Sequence, residues 1–128
     1  MVARRRQNDG RLAEFLARQW LRLKGWRVLA TRARTPLGEL DIIARRGSVL
    51  AFIEVKQRHD LTTAREALRR HQQRRIVRAA AFWLSRHPRL ARATIRFDLI
   101  IMNRHWRMRH LPDAFQAREV LPDADIML

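Results

Sequence analysis

Gly38-Glu39-Leu40-Asp41-Ile42-Ile43-Ala44 and, after a short polar break, Val49-Leu50-Ala51-Phe52-Ile53-Glu54-Val55-Lys56-Gln57 are two apolar runs interrupted by carboxylates and one lysine. A strand selected for stability alone would not place acids there. Like charges on neighbouring strands repel, and a carboxylate taken out of water costs several kcal/mol unless something neutralises it. Side chains alternate faces along a strand, so Leu50, Phe52, Glu54 and Lys56 share one side of the second run while Val49, Ala51, Ile53 and Val55 share the other. If Gly47-Ser48 is a two-residue hairpin loop, Asp41 stands directly opposite Glu54, with Cβ atoms ~4.5–5.5 Å apart. A three-residue loop would set the two on a diagonal, still within reach of one ion.

The chain has 128 residues, 47% of them hydrophobic, enough for one compact domain with a single core. Its formal charge of +16 implies a polyanionic partner, because Lys and Arg that neutralise phosphates release condensed counterions; nucleic acid is the first choice. The cations are 26 arginines and only two lysines, Lys24 and Lys56. An arginine bias of this size also follows from genome base composition, and so lifts the charge of proteins that never meet DNA. It makes Lys56 the more informative residue, since a lysine kept beside a carboxylate supplies a compact ammonium that approaches water or phosphate as a point charge. The absence of cysteine excludes disulfides, thiolate metal sites and cysteine nucleophiles, and fits a reducing compartment; the cytoplasm is the expected location. The basic start Met1-Val2-Ala3-Arg4-Arg5-Arg6 lacks the apolar segment of a signal peptide, and no run of ~18 apolar residues follows, so no membrane span is expected.

Leu12, Phe15, Leu16, Trp20 and Leu23 recur at helical spacing, with Asn8, Asp9 and Gly10 as cap candidates before them and Gly25 after, which predicts a first helix over 12–23. Trp26 to Thr31 reads as a strand, and Thr35-Pro36-Leu37-Gly38 as the turn into a strand from Glu39 to Arg45. Thr63-Ala64-Arg65-Glu66 has the form of a capping box; it opens a second helix whose apolar face runs through Ala64, Leu68, Ile76, Ala80, Trp83 and Leu84 until His87-Pro88. Thr94 to Met102 is a further strand and Trp106 to Leu111 its hairpin partner, after which the pattern loses its period. The order α-β-β-β-α-β-β describes an α/β fold, a mixed β-sheet flanked by helices, with the second helix as the crossover between parallel strands. The expected organisation is a basic arm over 1–9, a single domain over 10–115 and a poorly ordered tail over 116–128.

Two carboxylates and a backbone carbonyl, that of Val55, leave room around Mg²⁺ for water and a phosphate oxygen, since this cation takes oxygen ligands and keeps several waters. Lys56 would orient a water or offset charge developing on a phosphate. That set points to metal-dependent hydrolysis of phosphodiesters. The bland alternative is an exposed hairpin carrying an ordinary ion-pair cluster, and the flanking Ile42-Ile43-Ala44, Ile53 and Val55 speak against it. Glu14, between Ala13 and Phe15, either reaches over the sheet to the site or pairs with Arg18 at i+4. Gln57 either touches substrate or ends its strand. Asp98, in Arg96-Phe97-Asp98, reads as the buried partner of an arginine, and the histidines at 59, 71, 87, 105 and 110 show no i, i+4 metal spacing. Arg69, Arg70, Arg74, Arg75 and Arg78 on the second helix, with Arg4 to Arg6, Arg32 and Arg34, form the expected phosphate-contacting surface. Charge runs encode no base-edge contacts, so backbone or shape recognition is expected, a mode that suits branched or flapped DNA. Trp20 and Trp83 fall at apolar phases and read as core.

Gly38 to Ala44, Phe52-Ile53-Glu54-Val55-Lys56-Gln57-Arg58 and Arg96-Phe97-Asp98-Leu99-Ile100, taken together, resemble the YraN-type family of small bacterial proteins. That family belongs to the restriction-endonuclease-like PD-(D/E)XK superfamily and is similar to archaeal Holliday junction resolvases; the resemblance spans about residues 10–115. It implies a restriction-endonuclease-like sheet, Asp41 and Glu54 as ligands of Mg²⁺ or Mn²⁺, Lys56 as catalytic lysine, Glu14 joining them from the first helix, and Glu39 as a secondary site residue. In the second helix, where the family tends to carry a lysine, this chain has His71-Gln72-Gln73-Arg74-Arg75. The implied activity is a metal-dependent, resolvase-like DNA endonuclease, which needs a homodimer to cut two symmetric strands. The alternative is a nucleic-acid-binding protein that keeps the fold and charge without turnover.

Overall fold

The computed structural model describes residues 2–59 and 68–122. Helix α1 (Val2–Leu23) leads into three antiparallel strands, β1 (Arg27–Thr35), β2 (Gly38–Arg46) and β3 (Val49–Gln57). Helix α2 (Arg70–Ser85) and a 3₁₀ turn (Pro88–Leu90) then carry the chain to β4 (Thr94–Met102), β5 (Met108–Phe115) and a short α3 (Ala117–Val120). The five strands form one sheet in the order β1-β2-β3-β4-β5, with β3 and β4 parallel and the other pairs antiparallel. This mixed sheet flanked by helices is consistent with a restriction-endonuclease-like fold. No helix among the described residues is long and apolar enough to cross a membrane.

The central strands are apolar on both faces because helices cover both. On the α2 side, Leu40, Ile43, Leu50, Phe52 and Phe97 pack against Ile76, Val77, Ala79 and Ala80. Phe97 stacks on both Phe52 and Phe115 at ring-centroid distances of 5.7 and 5.1 Å. On the α1 side, Ile42, Ala44, Ala51, Ile53 and Ile100 pack against Ala17, Leu21 and Trp26. The sheet-facing stripe of α1 is Ala13, Ala17 and Leu21, at i, i+4 and i+8, and its alanines let the helix lie close on the sheet. The sequence pattern instead predicts a face through Leu12, Phe15, Leu16, Trp20 and Leu23; of these Leu16 and Trp20 are half-buried, Trp20 against the core, while Leu12, Phe15 and Leu23 are 43%, 46% and 86% exposed. Large side chains dominated that pattern, whereas the close approach selects small ones.

Other boundaries differ as well. Helix α1 begins at Val2, before the cap candidates Asn8 to Gly10, and closes where Trp26 N–H donates to the Leu21 carbonyl with Gly25 at φ +89°. Strand β1 runs to Thr35, four residues past its predicted end, leaving Pro36-Leu37 as the turn; Thr35 Oγ1 clamps it by donating to the Gly38 carbonyl and accepting from Leu37 N–H. The capping box at Thr63 to Glu66 lies outside the described residues; α2 as described starts at Arg70, where Gln72 Oε1 accepts the Arg69 N–H. Strand β5 begins at Met108, so Trp106 belongs to the turn before it. Residues 117–120 are helical, and Val120 is buried against the α2 cluster, so this part of the predicted tail is packed. The Gly47-Ser48 loop has two residues, since Arg46 pairs with Val49.

Candidate active site

The β2–β3 ladder runs from Arg46↔Val49 to Ile42↔Ile53, and the next step along it brings Asp41 to Glu54. Beyond Ile42 the carboxylates take over the backbone donors: Asp41 N–H donates to Glu54 Oε2 (3.2 Å) and Val55 N–H donates to Asp41 Oδ2 (2.9 Å). Each acid is thereby fixed to the other's strand. Glu54 is buried, only 5% exposed, and Asp41 is half-buried. Among the described residues no cationic side chain lies within ion-pair distance of either.

Burial pushes the Glu54 carboxyl up, and the charge of Asp41 adds to the rise. Asp41 is also pushed up by burial and by the charge of Glu14, against the hydrogen bond from Val55. Lys56, half-buried two residues beyond Glu54 on the same face, lowers both without a direct bond, and Arg75 of α2 lowers Glu54. Arg75 gets there by passing over Gly38: a Cβ at that position would stand 2.9 Å from Arg75 Cγ, and Gly38 sits at φ +146°. The glycine that opens β2 therefore makes room for a basic side chain beside the acids.

Glu14 approaches from α1 but is engaged elsewhere. Its Oε2 accepts from Arg32 Nε at 2.6 Å, with Glu14 largely covered. Arg18, the helical partner considered from sequence, lies over the Phe15 ring instead. Arg32 stands between Thr31↔Ile42 and Ala33↔Leu40, the rung of Asp41, and adopts φ +49°, a left-handed conformation that breaks the strand at that rung. Among the described residues no group of three or more acidic or histidine side chains gathers around one point, so the tight constellation is Asp41 with Glu54. The Arg32 contact was not visible in sequence: Arg32 and Arg34 read only as phosphate-surface arginines. Glu39 is exposed and lies 4.0 Å from the exposed Arg34. Gln57, half-buried at the end of β3, offers its carbonyl to Arg58 Nη1 at 2.6 Å.

The second-helix arginines are all exposed but not equivalent. Arg69 precedes the helix, Arg70 reaches Gln73 Oε1 (3.4 Å), Arg74 reaches the Val120 carbonyl (3.4 Å), and Arg75 alone faces Glu54. Asp98 is structural in the way its sequence suggested. It is fully buried, held by Arg96 through both oxygens at 2.8 and 2.9 Å, by His110 Nε2 at 2.7 Å and by Asp113 N–H at 3.0 Å. His110 as a partner was not anticipated.

The five-stranded mixed sheet flanked by helices places the chain in the restriction-endonuclease-like fold class, and its second and third strands carry the half-buried Asp41 beside the buried Glu54, with Lys56 two residues on. The chain belongs to the uncharacterised protein family UPF0102, the YraN family, whose model matches residues 13–102. It is similar to a UPF0102 protein of Chelativorans sp., 48% identical over 115 residues that cover 89% of this chain and 92% of that protein. A UPF0102 protein of Parvibaculum lavamentivorans is 51% identical over 108 residues, 84% of this chain and 80% of the relative. One of Paramagnetospirillum magneticum is 46% identical over 115 residues, 86% and 88% of the two chains.

Proposed function

We propose that this protein is a divalent-cation-dependent DNA endonuclease of resolvase-like type. The observation that carries the reading is the Asp41–Glu54 pair on adjacent strands, one half-buried and one buried, two hard-oxygen donors with raised proton affinity and, among the described residues, no cationic side chain in contact. This donor set fits Mg²⁺ or Mn²⁺, with the Val55 carbonyl as a further oxygen. When bound, such an ion polarises a phosphodiester and acidifies water. The N–H groups of Val55 and Asp41 hold the two carboxylates in place before substrate arrives. Lys56 donates to a non-bridging phosphate oxygen and offsets charge that grows there. Arg75, with Arg69, Arg70, Arg74 and Arg78, contacts the phosphate backbone without reading bases. Glu14 acts through Arg32, and Glu39 and Gln57 lie at the margins of the site. Two symmetric cuts on branched DNA would require two copies of the chain.

The pairing of Glu14 with Arg32 favours one other reading, a nucleic-acid-binding protein with little turnover, because it withholds the third acid from the pair. The experiment that separates them is cleavage of linear, flapped and four-way-junction DNA with Mg²⁺ or Mn²⁺ by the wild type, Asp41→Ala and Lys56→Ala. Cation-dependent cutting lost in both variants, with DNA binding retained, supports the nuclease. Binding without cutting of any substrate supports the alternative.

A further inference from the structure

Trp106 is the tryptophan without a ring or cation partner among the described residues. Trp20, Trp26 and Trp83 each pack against other rings or cations. Among the described residues the Trp106 ring has no such contact, and the residue is 42% exposed. Its backbone is at φ +62°, a left-handed conformation disfavoured for a bulky side chain, which persists only where the surroundings enforce it. Asn103 enforces it: its side-chain oxygen accepts from His105 N–H (2.9 Å) and Arg107 N–H (3.0 Å), its own N–H donates to the Arg107 carbonyl, and its carbonyl accepts from Trp106 N–H. A partly exposed indole is thus carried by a loop held in place from within.

The location gives the ring a meaning. Strands β3 and β4 are parallel, Lys56 pairs with Ile101 and Gln57 with Met102, so the loop after Met102 leaves the sheet at the end that carries Glu54 and Lys56. There Gln57, Arg58, His59 and Arg104 line a groove of about 230 Å³ that begins at the residue after Lys56. The loop and the start of β5 read Asn103-Arg104-His105-Trp106-Arg107-Met108-Arg109-His110, without a carboxylate, which selects a polyanion over an acidic-and-basic protein surface. An exposed indole among arginines suits a base: every base offers a π-face, and the neighbouring cations take the backbone phosphates. In an intact duplex those faces are stacked on one another and closed to a protein ring.

We infer that Trp106 is a stacking platform for an unpaired nucleotide, with the adjoining phosphate in the groove of Gln57, Arg58, His59 and Arg104, so that this protein takes nucleic acid with a single-stranded segment beside the cleavage site. The inference rests on the nuclease reading for its place beside a cleavage site, while the stacking itself is measured without cutting.

The test is fluorescence anisotropy of a labelled single-stranded 20-mer and of the same sequence as blunt duplex, at physiological salt with chelator present, for the wild type, Trp106→Ala, Trp106→Phe and Trp106→Gly. Glycine accepts a positive φ, so Trp106→Gly removes the ring while relieving the backbone and keeps folding out of the comparison. Loss of one base stack predicts single-strand affinity about 5- to 100-fold weaker in Trp106→Ala and Trp106→Gly, with Trp106→Phe near wild type and duplex affinity changed less than about twofold in all. Equal weakening on both substrates, no weakening, or no single-strand binding by the wild type overturns the inference. Each of these outcomes leaves the cleavage assay above to decide the nuclease reading separately.

Discussion

Asp98 on β4 and the Asp41–Glu54 pair on β2 and β3 are acids sunk into the same sheet, and the chain treats them in opposite ways. Burial alone would raise Asp98, but hydrogen bonds from His110, Arg96 and Asp113 outweigh it and hold the carboxyl below its ordinary value. Asp41 and Glu54 receive two backbone N–H bonds between them, have no cationic side chain in contact among the described residues, and are pushed up to about 6 and about 8, first by burial. A chain with 28 basic side chains did not lack a counter-charge for the second place. Lys56 and Arg75 stand near enough to be felt and too far to pair. The first acid is neutralised from within the fold, while the pair has no such partner among the described residues, which is what the proposed cation site requires.

Asp98→Ala should have the largest effect on stability. It leaves Arg96 and His110 inside without their acceptor, and removing one partner of a buried ionic network costs ~3–5 kcal/mol, to be read from urea unfolding. Glu54→Gln should act in the opposite direction. In cation-free protein at pH 8 it removes a desolvated charge and should raise stability by ~1–3 kcal/mol; a destabilisation as large as that of Asp98→Ala would erase the contrast.

The two places should also respond to pH with opposite sign. Carboxyls with raised pKa bind protons more tightly in the folded state, so their contribution is full below the ordinary range near ~4 and is lost as pH rises through about 6 for Asp41 and about 8 for Glu54. Asp98, with its lowered pKa, contributes above the ordinary range and loses that contribution as pH falls below it. Unfolding free energy of cation-free protein measured from pH 5 to 9 should therefore decline by ~1–3 kcal/mol in the wild type and much less in Glu54→Gln. Arg32→Ala should be the mildest change. It frees Glu14 from a partly exposed pair and should cost under ~1 kcal/mol in thermal or urea unfolding.

Much of this contrast was legible in the sequence. Interruption of apolar strands by acids marked Asp41 and Glu54, the Gly47-Ser48 break left them either opposite or on a diagonal until the ladder fixed the two-residue loop, and Arg96 at i−2 on one face of β4 marked Asp98 as its partner. What could not be read depends on long-range approach or on local backbone distortion. His110 reaches Asp98 from the neighbouring strand β5, and a register shift in the β4–β5 ladder decides which side chains meet there. Glu14 meets Arg32 only because α1 crosses β1 near a left-handed residue, and no periodicity announces a positive φ at an arginine. Trp106 looked like a strand residue because aromatic residues favour strands, while Asn103 captures it in a turn. The buried face of α1 was read only in part, through Leu16 and Trp20, because Ala13 and Ala17 carry little hydrophobic signal although they set the distance to the sheet.

The most direct measurement of the central claim is calorimetric titration of the DNA-free protein with Mn²⁺ at pH 6 and pH 8, in buffers of different ionisation enthalpy, for the wild type and Glu54→Gln. Competition between the ion and the protons on a raised carboxylate pair predicts one ion per chain, tighter binding at pH 8, proton release on binding, and loss of the site in Glu54→Gln. Binding of Mn²⁺ that is absent in the wild type, or unchanged by pH and by Glu54→Gln, would contradict it.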